Sequence, residues 1–274
     1  MRPLHHQYQA LLDDVAVNCV VNGANPRTAS IAEGATAQTT FNTECAPLNG
    51  SVAALQFDGA QQSAQTPDAP GLDLSNTWTI ELWVRPEDVD RIDPRQDFVS
   101  KWSSGTQASY DLWLRGGTVR LSTRQEPENT TIESTGTLTN GVWQHVAVTF
   151  NNGEVRLYIN GQLDNWDTGF NVPQNSATPL SLGAEHSPSY NGKYYQGTMD
   201  EVRIWNVVRS PSQIATFKDF QVDPSTPGLV AYWRLDEGSG DVASDLTGNG
   251  HDMQLGNASG PDAGDPTWVM PGMP

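Results

Sequence analysis

Trp83, Trp113 and Tyr158 each lie two positions from an arginine, Arg85, Arg115 and Arg156 respectively. Residues two apart on a strand share a face, so each pair sets an aromatic ring beside a guanidinium. Such a surface suits a sugar, whose C–H groups lie against the ring while polar groups orient its hydroxyls. The same pairs could instead pack under neighbouring loops, the arginine stem covering the ring. Further candidates fall in two loop-rich stretches, Trp166 in one and Tyr190, Tyr194 and Tyr195 in the other, because binding residues concentrate on loops held by a rigid scaffold. Catalysis has less to work with. Glycoside hydrolysis needs two carboxyls facing one sugar, roughly 5 to 9.5 Å apart, whereas Asp200 and Glu201 are adjacent and on a strand would point to opposite faces. His5, His6, His145, His186 and His251 have no metal-ligand spacing and no GxSxG motif beside them. The expectation is a protein that binds without catalysing.

The elements that must position these residues are strands. Val146, Val148 and Phe150, then Val155, Leu157 and Ile159, put apolar side chains on every second position, and Asn152-Gly153 between them tolerates the positive φ of a tight turn. This predicts an antiparallel hairpin with one core face and one mixed face. Trp78 to Arg85 alternates in the same way, with Ile80, Leu82 and Val84 inward, and Pro86 ends it. Tyr110 to Arg115 sends Leu112 and Leu114 inward and Asp111, Trp113 and Arg115 outward, before Gly116-Gly117 turns the chain back. The one helix expected is short, Ser210 to Phe217, with Ser210 as N-cap and Pro211 in its first turn.

With 274 residues, 25 Gly and 18 Pro, the chain has turn chemistry at short intervals and enough length for a large core, which points to an all-β fold. Fifteen basic against 32 acidic residues give a net charge of −17, which repels phosphate backbones and anionic membranes. Nucleic acid is therefore not an expected partner. No apolar run is long enough for membrane insertion. Cys19 and Cys45 are the two cysteines. Without CxxC spacing or a histidine cluster they read as a disulfide rather than a zinc site, and so imply an oxidising compartment. Residues 1–20 show no basic-then-apolar leader, so the chain is expected to be a piece of a longer secreted or surface protein.

The ordered succession LQFDGA, TIELWVRP, FVSKW, GVWQHVAVTF, VRLYINGQ, LSLGA and GTMDEVRIWNVVRSPSQI, over about residues 52 to 217, resembles the laminin-G-like domains of the concanavalin A-like lectin/glucanase superfamily. The resemblance implies a jelly-roll sandwich of two antiparallel sheets. It also implies a calcium site near Asp58 and Asp200, with Gly59 offering a carbonyl, since calcium takes six to eight oxygens from carboxylates and carbonyls. The alternative is that both aspartates cap turns. The paired acids of the glucanase branch have no counterpart here. Residues 1–46 resemble part of a bacterial immunoglobulin-like repeat, 47–51 read as a linker, 52–255 as the jelly roll with completing strands at 228–255, and 256–274 as a flexible tail. The expected role is an extracellular module binding a glycan or a matrix or cell-surface protein. The alternatives are a self-assembling adhesive building block and, less favoured, a glycoside hydrolase.

Overall fold

The structure, a computed structural model, describes residues 52–103, 108–185 and 193–273, and the backbone of four strands before them. Those four form two small antiparallel pairs, β1 (His5–Ala10) with β3 (Arg27–Ala32) and β2 (Cys19–Asn22) with β4 (Asn42–Cys45). Cys19 and Cys45 are direct partners in the second register. Their side chains lie outside the described residues.

From Ala53 onward the chain builds two antiparallel sheets over a shared apolar core. The first sheet runs β11 (Glu128–Thr137), β10 (Thr118–Gln125), β9 (Tyr110–Arg115), β8 (Gln96–Lys101), β15 (Leu180–Leu182), β6 (Ala64–Thr66), β19 (Met253–Leu255) and β18 (Val242–Ala243). The second runs β14 (Gln162–Asp167), β13 (Glu154–Ile159), β12 (Gln144–Asn151), β7 (Thr77–Pro86), β16 (Gln196–Trp205), β5 (Ala54–Asp58) and β20 (Thr267–Val269), with β17 (Leu229–Trp233) paired to β16. This is the sandwich that alternation requires: Ile80, Leu82 and Val84 of β7, Val146, Val148 and Phe150 of β12, and Leu112 and Leu114 of β9 all lie in one core.

The β12–β13 hairpin shows why local chemistry suffices. Asn152 and Gly153 adopt φ of 49° and 92°, the left-handed pair that matches the twist of the flanking strands. Glycine is required at the second position for a further reason, since a Cβ there would lie 2.9 Å from the Phe170 carbonyl oxygen.

The outer face of the second sheet departs from the expected mixed surface. His145, Ala147 and Thr149 are buried, as are Thr79 and Glu81. The cover is the segment after β16, including helix α1 (Pro211–Phe217), which Ser210 and Gln213 start with a reciprocal capping box. Ile214 of α1 packs on Ala147 and Tyr158, and Arg203 donates to the carbonyls of Phe217 and Phe220, tying the cover to the sheet.

Residues 256–273 correct the expectation of a flexible tail. β20 pairs with β5, Trp268 opposite Leu55, and Met273 is buried with its N–H donated to Asp200 Oδ2. The Gly, Pro and Asp content there encodes turns. Asp262 accepts from the amides of Asn257, Ala258 and Gly264, bending the chain so that β20 can cover the polar edge of β5. Of the 228–255 stretch, β17 joins the second sheet and β19 the first.

Candidate functional site

At the β13–β14 edge the register sets Arg156 opposite Trp166. Directly paired residues point to the same side of a sheet, here the outer one, because Val155 and Leu157 of β13 face the core. Strand β14 is held by the two residues before Trp166. Asp164 accepts from the amides of Thr135 and Gly136 on β11, and Asn165 donates to the Glu133 carbonyl. With these polar side chains committed across to the first sheet, Trp166 is directed outward, 55% exposed. Arg156 Nε donates to Glu154 Oε1 at 2.8 Å, a bond that raises the guanidinium pKa further above its ordinary value. An open indole, a guanidinium and a carboxylate thus share one surface beside α1. The ring offers an apolar face, and the charged pair offers both donors and acceptors, which together match a polyhydroxylated ligand.

The other residues expected to touch a ligand are placed elsewhere. Tyr158 is buried beneath Ile214. Trp83 is half-buried, its Nε1 donating to the Lys218 carbonyl at 2.8 Å and its ring edge-on to His145. Both are corrected from contact residues to packing residues, because α1 and the chain around it roof their face. Trp113 is buried, with the guanidiniums of Arg95 and Arg120 over its ring at 4.5 and 5.0 Å and its Nε1 donating to Ser122; a sugar has no ring surface to stack on. Tyr195 lies in the core between Phe57 and Phe98. Tyr194 is half-buried and its carbonyl accepts from Arg91. Tyr190 lies outside the described residues.

Asp58 and Asp200 do not form one ligand set. Asp58 is opposite Gln196 in the β5–β16 register, four positions from Asp200, which is roughly 13 Å of strand. Asp58 Oδ1 accepts from the amides of Ala60 and Gln61, a turn cap. Asp200 accepts from Glu201 and Met273. The Gly59 carbonyl faces the Arg91 guanidinium. The proposed calcium ligands are thus separately engaged by backbone amides and an arginine.

One charged cluster escaped the sequence reading. Asp97, Asp111 and Glu185 present carboxylate oxygens within 4.8 Å of one another on the outer side of the first sheet. Arg95 pairs with all three, at 2.9 Å to Asp97 and 3.1 Å to Glu185, and Lys193 joins Glu185. Both aspartates are fully buried. Burial, with Asp111 beside it, pushes the Asp97 carboxyl well above the ordinary range. Burial also raises Asp111, to about 6. The oxygens would suit a hard cation, but the Arg95 guanidinium already fills that role. Asp111 was visible as an outward residue; what sequence could not supply is the β8–β9 register, with its irregularity between Asp97 and Val99.

A family model for Laminin_G_3, in the concanavalin A-like lectin/glucanases superfamily, matches residues 58–215. The chain belongs to the Laminin_G_3 family. Among solved structures this Laminin_G_3 chain is similar to a candidate carbohydrate binding protein from Bacteroides ovatus, with TM-score 0.64 and 19% identity, covering 92% of this chain and 71% of that one. It is also similar to the CBM40 of Ruminococcus gnavus IT-sialidase bound to alpha2,3 sialyllactose, with TM-score 0.51 and 14% identity over 61% of this chain and 98% of that one. Among curated proteins, 118 residues are 29% identical to the Rattus norvegicus sushi, von Willebrand factor type A, EGF and pentraxin domain-containing protein 1. That match spans 39% of this chain and 3% of the relative.

Proposed function

We propose that this Laminin_G_3 chain is an extracellular, non-catalytic glycan-binding module whose contact surface is the Glu154, Arg156 and Trp166 face of the β13–β14 edge. The observation that carries the reading is the exposed Trp166 ring in register with Arg156. A large indole left open beside a guanidinium–carboxylate pair has little packing to explain it. Stacked against the C–H face of a sugar it gains contact area with few rotamers to lose. The family and the carbohydrate-binding proteins that share the fold support a binding role of this kind. A disulfide between Cys19 and Cys45 belongs to the same reading, supported by their opposed positions on β2 and β4. Non-reducing mass spectrometry tests it, and two free thiols would remove it.

A glycan array with the wild type and Trp166→Ala tests the binding surface. Selective binding by the wild type, weakened about tenfold in the variant, is the expected result; binding that survives unchanged in the variant moves the site elsewhere. An array without hits, together with concentration-dependent assembly in ultracentrifugation, would favour an adhesive building block, for which Leu163 and Trp166 are the exposed apolar residues of this edge. A hydrolase reading has one observation in its favour, the close carboxyls of Asp97 and Asp111 with the latter at about 6. Their burial under Arg95 leaves them no face for a sugar. Release of reducing sugar from any glycan bound on the array would restore it.

A further inference from the structure

A second surface on the opposite edge of the same sheet has the features of a ligand site. Where β20 closes the sheet, a cleft of about 520 Å³ is lined by Asp241, Pro261, Asp265, Pro266, Thr267 and Trp268. That volume is within the range of about 300 to 1,000 Å³ that holds small ligands. Its aromatic wall is fixed: Trp268 is half-buried against the core, and its Nε1 donates to the Gly240 carbonyl at 2.8 Å. With the indole N–H engaged, the ring can offer a neighbour only its face and edge. Pro261 adds a further rigid apolar surface, Pro266 is buried, and neither brings a backbone donor.

The polar part of the lining is almost all acceptor. Asp241 uses Oδ2 on the Gly260 amide and Asp265 uses Oδ2 on the Asp262 amide, while Asp265 Oδ1 is buried against Gly256 and acts on the cleft through its charge alone. Gly256 makes this packing possible, since a Cβ there would lie 2.0 Å from Asp265 Oδ1. No lysine or arginine lines the cleft, so an anionic ligand would face two carboxylates with no counter-charge. A ligand that fits must bring its own hydrogen-bond donors, present an apolar face to Trp268 and carry no negative charge.

From this geometry we infer that the cleft at Trp268 is a second sugar subsite, selective for uncharged sugars. The ligand class rests on the glycan-binding reading of the Arg156–Trp166 face; the place and the charge selectivity do not. The two subsites flank the sheet at its β14 and β20 edges, so a long polysaccharide or two separate chains could be held at once, with a gain in avidity.

The test is NMR on the full chain, following the indole N–H signals of Trp166 and Trp268, each assigned by its Trp→Phe variant. Cello-, xylo-, galacto- and arabino-oligosaccharides are titrated beside oligogalacturonate as the anionic comparison. The expected result is that at least one neutral series shifts the Trp268 signal, that the shift persists in Trp166→Ala, and that oligogalacturonate binds this cleft at least about tenfold more weakly. If neutral sugars move Trp166 alone, the second subsite is wrong while the glycan reading stands. If they move neither signal, both fail. Equal shifts of Trp268 by oligogalacturonate overturn the charge argument. Asp241→Asn, which keeps a side-chain oxygen for the Gly260 amide, should narrow the preference for neutral over anionic oligosaccharide. An unchanged preference would count against Asp241 as its cause.

Discussion

Replacing Glu81 with glutamine would remove one negative charge from a fully buried network while keeping its size and a carbonyl oxygen. Glu81 lies on β7 beneath the α1 cover, 1% exposed. Its Oε1 accepts from Trp205 Nε1 at 2.9 Å, with Arg203 Nη1 and His145 Nε2 each 3.6 Å from its carboxylate. Burial by itself pushes the carboxyl up, but the His145 imidazole and the Arg203 charge facing it more than reverse this, and it titrates at about 2 rather than 4.5. A carboxyl held that low contributes about 3 kcal/mol to stability, fully present above its unfolded pKa and lost as pH falls from 4.5 toward 2. Glu81→Gln should therefore be about 3 kcal/mol less stable than the wild type at neutral pH. The gap should close steadily below pH 4.5 and nearly vanish by about pH 2. Burial lowers the His145 pKa while Glu81 raises it, so without the Glu81 charge it falls further; charging His145 as pH drops below 6.5 costs the variant more than the wild type and widens the gap before Glu81 titration closes it. Urea unfolding across this pH range, followed by tryptophan fluorescence, reads the gap directly. A gap of the same size at every pH would show that glutamine merely packs badly, and the electrostatic reasoning would be wrong.

Trp166→Ala should weaken glycan binding about tenfold with no change in melting temperature, because the ring is exposed and supports no core; isothermal calorimetry and a thermal melt check both halves. Asp97→Asn should raise the urea midpoint at pH 7. The buried Asp97 carboxyl titrates far above its ordinary 3.8, so its contribution is favourable below that value and is lost as pH rises; a lower midpoint at pH 7 would mean that its attraction to Arg95 dominates. Gly153→Ala should cost about 1–3 kcal/mol, from its φ of 92° and the clash with the Phe170 carbonyl, measured by chemical denaturation. Calcium and EDTA should leave the melting temperature unchanged, because Asp58 and Asp200 are already engaged by backbone amides; a rise with calcium would require another set of ligands.

What the sequence determined is what short-range geometry determines. The β12–β13 hairpin followed from alternation and an Asn-Gly turn, α1 from Ser210 and Pro211, and the sandwich from many alternating strands separated by turn residues. The outward positions of Trp83, Asp111, Trp113 and Tyr158 were legible for the same reason, since a period of two assigns faces. Tertiary structure decided which of those faces remain open. Trp83 and Tyr158 are roofed by a segment at 211–218, Trp113 is covered by Arg95 and Arg120, which come from different parts of the chain, and Trp166 meets Arg156 only through the β13–β14 register. The separation of Asp58 from Asp200 is likewise a matter of register between strands far apart in sequence. Period and turn chemistry depend on neighbours within a few residues, whereas cover and register depend on which distant segments lower the free energy by burying a given surface, and no local pattern contains that choice.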